Sequence, residues 1–214
     1  MSSLSLTPSP HTLVLGRHSD FMRQGMSRSY VLGAMHDGTR RPRTLRISQR
    51  EEAYILILRD MIQRLGGRAW TYREGASRNL YVVEFSRSFL EGHSIRNRQD
   101  RIDYVRGYFD ADGSVGYLKA RSEPYVYFCQ KSKRDLIEVQ RYLTALGILS
   151  GHIHNPSWRV DPNYWRFYVR RKAIPRFARL VGSWHPRKSV FLQALAEANR
   201  RSPKKGESVS LGRD

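Results

Sequence analysis

The chain has 214 residues, with 38 Lys and Arg against 19 Asp and Glu, a formal net charge of +19. An excess of that size is a statement about partners. Nucleic acid comes ahead of an anionic membrane surface, because no basic amphipathic helix stands apart from the core pattern. Cys129 is the single cysteine, which excludes a disulfide framework and a Cys-based zinc site, and no apolar run approaches the roughly 20 residues of a membrane span.

In chain order, the first sixteen residues lack the basic start and long apolar stretch of a signal peptide, and residues 1–22 read as a disordered leader. Tyr30 to Gly38 then reads YVLGAMHDG, followed by a predicted strand over 44–48. Ile55, Leu58, Ile62 and Leu65 recur at helical spacing, and Gly66-Gly67 supplies the stop. Strands are predicted over 69–73 and 80–85. Tyr104 to Gly113 reads YVRGYFDADG, and strands are predicted over 115–120 and 125–129. Ser132 with Asp135 makes a capping box, ahead of a stripe of Leu136, Val139, Leu143 and Leu146 that ends at Gly147. Two more strands, over 151–154 and 164–170, complete the pattern. In the last, Trp165, Phe167 and Val169 alternate with Arg166, Tyr168 and Arg170, so one face packs and the other offers guanidinium groups and a phenol.

The chain therefore says the same thing twice. Both copies open with Tyr-Val-X-Gly and close with Asp-Gly, and Gln49 to Gly66 and Gln130 to Gly147 each span 17 positions. The division is a first half over 23–92, a linker over 93–100, a second half over 101–198 and a disordered basic tail over 199–214. Asp37 precedes Gln49 by 12 positions, whereas Asp112 precedes Gln130 by 18. The first copy's hairpin is accordingly expected to be vestigial, with Arg40, Arg41 and Arg43 in a loop around Pro42.

A carboxylate at the end of a packed helix, as Asp112 would be, serves a purpose when a cation meets it, and the cation that fits here is a metal ion facing a phosphate. A calcium loop does not account for it. Counted from Asp110 the twelfth place is Arg121; counted from Asp112 it is Glu123, but Tyr117 then occupies the place of the turn glycine. His152 and His154 share a strand face without an evident third metal ligand. Asp-Gly pairs also simply terminate helices, a reading weakened by two copies in one basic chain.

VRGYFDADG resembles the signature of the LAGLIDADG homing endonucleases, and the order of elements over roughly 25–195 resembles the single-chain, two-motif members. The resemblance implies an α+β fold of duplicated αββαββα units related by a pseudo-two-fold axis, with antiparallel sheets forming a DNA-binding saddle. It implies motif helices that meet at Gly33, Ala34 and Gly107. Asp37 and Asp112 would bind the catalytic metal, magnesium or another divalent cation such as manganese, with the backbone carbonyls of His36 and Ala111 as further contacts. Gln49 and Gln130 would order water or metal, and Arg98 and Lys188 match the family's basic catalytic positions on the last helix of each unit. Gly33 to Gly38 spans five positions and Gly107 to Gly113 six, so Asp37 is expected at a different depth from Asp112. Arg40, Arg41, Arg43, Arg46, Arg73, Lys119, Arg121, Arg166, Tyr168 and Arg170 are the expected DNA contacts. The implied activity is site-specific cleavage of both strands of a long, partly asymmetric duplex by an intracellular, nucleoid-associated monomer of the mobile-intron type. The alternatives are a non-cleaving maturase bound to intron RNA, a transcription regulator, and a strand-biased nickase.

Overall fold

The computed structural model describes residues 27–75, 78–118 and 123–201, which pack as two units that meet in sequence between Asp112 and Gly113. In the first, Ser27 caps helix α1 (Arg28–Ala34) by accepting the Tyr30 N–H, and Met35–Asp37 tightens into a 3-10 turn. Strands β1 (Gly38–Arg40) and β2 (Thr44–Gln49) follow as an antiparallel hairpin. This corrects the vestigial reading. Arg40 is a strand residue, and only 41–43 form the turn, closed by the Arg41 N–H on the Thr44 carbonyl at 2.9 Å. The six residues absent from this copy shorten a strand instead of removing it.

Helix α2 (Glu52–Arg64) buries Tyr54, Ile55, Leu58, Met61 and Ile62 against a sheet of order β1-β2-β4-β3, where β3 is Ala69–Arg73 and β4 is Tyr81–Ser86. Leu45, Ile47, Val83 and Phe85 supply the inward face, and each such side chain contributes about 1.5–3 kcal/mol by leaving water. Gly66, at φ 83°, ends α2 in the left-handed conformation that glycine adopts without penalty. The closing helix expected of this half is reduced to a 3-10 turn at Arg87–Phe89. The chain then leads directly into α3 (Arg98–Asp112), which begins inside the predicted linker and packs on α1.

The second unit opens with β5 (Gly113–Leu118) and β6 (Glu123–Gln130), then α4 (Lys133–Ala145), β7 (Trp165–Tyr168), α5 (Ile174–Leu180) and α6 (Pro186–Arg201), with sheet order β5-β6-β7. Ser132 caps α4 by accepting the Asp135 N–H, the predicted stripe is buried, and Gly147 at φ 70° provides the stop. No strand forms over 151–154; two isolated bridges stand in its place. Ser150 faces Val169 and His154 faces Arg166, so four steps on one side oppose three on the other. The extra residue is a bulge that interrupts the ladder. Phe128 and Phe167 stack 5.1 Å apart at the centre of this core. Helix α6 runs three residues past 198; the leader over 1–22 and the tail from 202 lie outside the described residues. Among the described residues no helix is long and apolar enough to cross a membrane.

His185, just before α6, is buried, and burial with the neighbouring Lys188 and Arg187 charges pushes its pKa down to about 4. The folded chain therefore resists a proton that the unfolded chain accepts near pH 6.5. Stability is expected to fall as pH drops from about 6.5 to about 4, by on the order of 2 kcal/mol, and His185→Gln should flatten that slope in urea titrations at stepped pH.

Candidate metal and nucleic-acid site

Helices α1 and α3 approach as closely as two backbones can. A Cβ built on Gly33 would collide with the carbonyl oxygen of Tyr104 and lie 2.8 Å from the Tyr108 nitrogen. A Cβ on Gly107 would collide with the carbonyl oxygen of Tyr30 and lie 3.0 Å from the Ala34 nitrogen. The two sets are reciprocal: each glycine meets the residue three before, and the residue one after, the other glycine. The side chains keep the same symmetry. Tyr30, three before Gly33, donates its hydroxyl to Asp110, three after Gly107, at 2.6 Å. Tyr104, three before Gly107, meets His36, three after Gly33, also at 2.6 Å. Asp110 and His36 are thus equivalent positions with different chemistry, each three residues after its motif glycine.

The missing residue in the first motif is offset by geometry. From Gly107 to Asp112 the chain stays α-helical and rises about 7.5 Å. From Gly33 to Asp37 it takes one α-helical step and then three 3-10 steps of about 2.0 Å each, which also totals about 7.5 Å. On ideal helix geometry the two acids would end at the same depth, with a remaining rotational offset of about 40°.

Tyr54 marks where the ends gather. Its buried hydroxyl lies 3.1 Å from that of Tyr30, and its pKa is raised well above the ordinary value, first by burial, then by the charges of Asp110, Asp37 and Asp112. Gln49 donates its side-chain amide to Asp37 Oδ2 and fixes that carboxylate. Asp37 is exposed and Asp112 half-buried. Among the described residues no three His, Cys, Asp or Glu converge, so an ion here would rest on two carboxylates plus carbonyl, water and phosphate oxygens. That is the hard-oxygen set magnesium accepts. His36 turns its ring toward Tyr104 and Tyr108, 4.3 Å from the latter, while Ala111 is in the last turn of α3.

The other expected catalytic residues divide. Lys188, in the first turn of α6, donates to the carbonyl oxygen of Gly113, the residue after Asp112, at 2.7 Å. Gln130, at the end of β6, accepts the Lys131 N–H through its side-chain oxygen. Arg98 is not brought to the acids. It begins α3, exposed, about 20 Å along the same helix from Asp112, because the closing helix on which it was expected is a single 3-10 turn.

The basic face is less uniform than the sequence suggested. Arg46 is bound to Glu74 at 2.6 Å, and Glu84 is buried in the middle of the outer sheet surface, accepting from Thr44 and from Tyr72 (2.9 Å), with Arg41 3.9 Å away. Glu84 was legible by register: it alternates with inward Val83 and Phe85 and pairs across the strand with Arg46. Arg40, Arg41, Arg43 and Arg73 are exposed, the last over the Tyr81 ring. Arg166 and Tyr168 occupy the outer face of β7 as expected, and the exposed Arg170 donates through Nε to the Ser150 carbonyl. Lys119 and Arg121 lie outside the described residues. Glu74→Gln should release Arg46 and steepen the log–log salt dependence of DNA binding by about one unit, read by titrating affinity against salt.

Residues 99–182 match the LAGLIDADG-like domain family. A structure of I-DmoI in complex with DNA and Mn aligns with 72% of this chain and 94% of its own at a TM-score of 0.55, with 18% identity. Full-length DUF199/WhiA from Thermatoga maritima aligns with 88% of this chain and 68% of its own at 0.60, with 16% identity. The N-terminal LAGLIDADG domain of DUF199/WhiA covers 85% and 94% at 0.57, with 17% identity. No curated protein matches the sequence. The family match extends over residues 99–182, and the chain has the α+β, antiparallel-sheet fold of these structures.

Proposed function

We propose that the protein is a site-specific, divalent-metal-dependent endonuclease that cuts both strands of duplex DNA. The observation that supports this reading best is that Asp37 and Asp112 both end reciprocally packed helices and both act on the buried Tyr54 hydroxyl, so that two carboxylates gather at one place. Magnesium or manganese bound there would neutralise non-bridging phosphate oxygens and lower the pKa of a bound water. Asp37 and Asp112 hold the ion, with the carbonyls of His36 and Ala111 as further oxygen donors. Gln49 keeps the Asp37 carboxylate oriented, Gln130 has the matching place in the second copy, and Lys188 offers a cation against developing negative charge.

The duplex is held by Arg40, Arg41, Arg43, Arg73, Arg166, Tyr168 and Arg170, with Lys119 and Arg121. Arg46 contributes less than its position implies, since its charge is shared with Glu74. The protein acts as an intracellular monomer on a long, partly asymmetric site. The I-DmoI structures, described as holding DNA with Mn, Mg or Ca, favour this reading. A second reading, a DNA- or RNA-binding member that does not cut, draws on the higher TM-score of DUF199/WhiA. Selection of bound duplexes from a random library, followed by magnesium addition, separates the two: cut ends support the nuclease, and retained full-length duplex supports the binder.

A further inference from the structure

Beside the arginines that meet a duplex, the outer face of the second sheet carries a cluster of aromatic rings that duplex binding does not call for. On β6, Val126 and Phe128 point into the core, which sends Tyr125 and Tyr127 outward. Their cross-strand neighbours on β5 are Gly116 and Ser114, both small residues. With nothing beneath it, Tyr125 leans over that strand: a Cβ at Gly116 would lie 2.7 Å from its Oη and 2.9 Å from Cζ. The Tyr125 and Tyr127 rings are inclined by only 19°, with centroids 5.7 Å apart.

Tyr168 of β7 stands 5.5 Å from Tyr127, and the His154 ring lies within 15° of parallel to Tyr168. The Arg166 guanidinium is 5.8 Å from the Tyr127 ring and 5.3 Å from that of Tyr168, and its buried Nε has no hydrogen-bond partner among the described residues. Glu123, at the edge of this face, is bound to Arg171 at 2.7 Å. In the first sheet, by contrast, a buried carboxylate sits mid-face.

We propose that this face is a stacking platform for single-stranded nucleic acid, on which successive unpaired bases lie against Tyr125, Tyr127 and Tyr168 with Arg166 at the backbone. A duplex hides its base faces and shows edges, which a phenol reads only through one hydroxyl. An unpaired base offers its whole face, and stacking on aromatic rings is sequence-tolerant. Arg166, the exposed Arg170 and the +19 charge of the chain favour a polyanion over a neutral aromatic ligand. The proposal does not depend on cleavage.

The test uses the full chain in calcium with dye-labelled mixed-sequence strands, as single-stranded RNA, single-stranded DNA and a duplex, read by fluorescence anisotropy at matched salt. Tyr125→Ala and Tyr127→Ala are each expected to weaken single-strand binding about tenfold and duplex binding less than about threefold. Tyr127→Phe keeps wild-type affinity, because stacking needs the ring and not the hydroxyl. Gly116→Val displaces Tyr125 and reproduces the loss with every ring still present. Tighter RNA than DNA binding identifies a 2′-hydroxyl contact, and equal binding identifies a platform indifferent to sugar. Equal losses on duplex and single strands, or a Tyr127→Phe variant as weak as Tyr127→Ala, would overturn the proposal.

Discussion

Asp112→Asn is expected to lower DNA cleavage at least a thousandfold while changing duplex affinity less than about threefold. The amide keeps the shape of the side chain and removes the charge that an ion needs. Asp112 ends α3, where the helix dipole is negative and disfavours a carboxylate. The variant should therefore be as stable as the wild type or slightly more so, which separates lost chemistry from lost structure. Asp37→Asn should be impaired to within about tenfold of Asp112→Asn, because the tighter 3-10 rise before Asp37 offsets the residue missing from its motif. Supercoiled plasmid distinguishes the cases. Comparable acids give linear product in the wild type, whereas an Asp37 out of register leaves nicked circles.

Arg106→Ala is expected to destabilise the protein by about 3–5 kcal/mol, the largest structural effect predicted here. Arg106 and Asp103 form a buried pair at 2.8 Å, and Asp103 also accepts from Ser27 at 2.8 Å and Gln99 at 3.0 Å. Burial raises the Asp103 pKa, opposed by Arg106 and those hydrogen bonds. Removing Arg106 leaves a carboxylate that must stay charged in an apolar site or take up a proton. The sign of the pH dependence follows. A raised folded pKa favours the protonated acid, so the cost should be greatest near neutrality and ease as pH falls. Replacing both partners with apolar residues, as in Arg106→Met with Asp103→Leu, should recover most of the loss in urea denaturation.

Most of the fold was legible because the signals were local. The alternation around Phe167, the stripes of α2 and α4, and Gly66 and Gly147 as stops each depend on a few adjacent residues. What the sequence hid depends on distance or on counting across elements. Strand 151–154 has β composition, but a single extra residue against β7 breaks its ladder, and no local signal marks which residue is extra. Arg98 matches the family's basic position in order along the chain, yet the closing helix that position needs is a three-residue turn. In the site, Asp37 and Gln49 stood out individually, and their hydrogen bond is a consequence of the short hairpin between them. The reciprocal Tyr30–Asp110 and Tyr104–His36 contacts were hidden because they need the crossing point of two helices. The compensation of Arg46 by Glu74 could not be read at all, since it depends on where a loop after β3 returns.

The central claim is that Asp37 and Asp112 together hold a divalent ion against duplex DNA. Sequencing the ends produced when the wild-type chain acts on a randomised duplex library in magnesium tests it most directly. The account predicts one preferred site cut on both strands, with cutting abolished in the Asp37→Asn, Asp112→Asn double variant that still binds the same site in calcium. Tight, site-selective binding by the wild type with no cut strand in magnesium or manganese would contradict it.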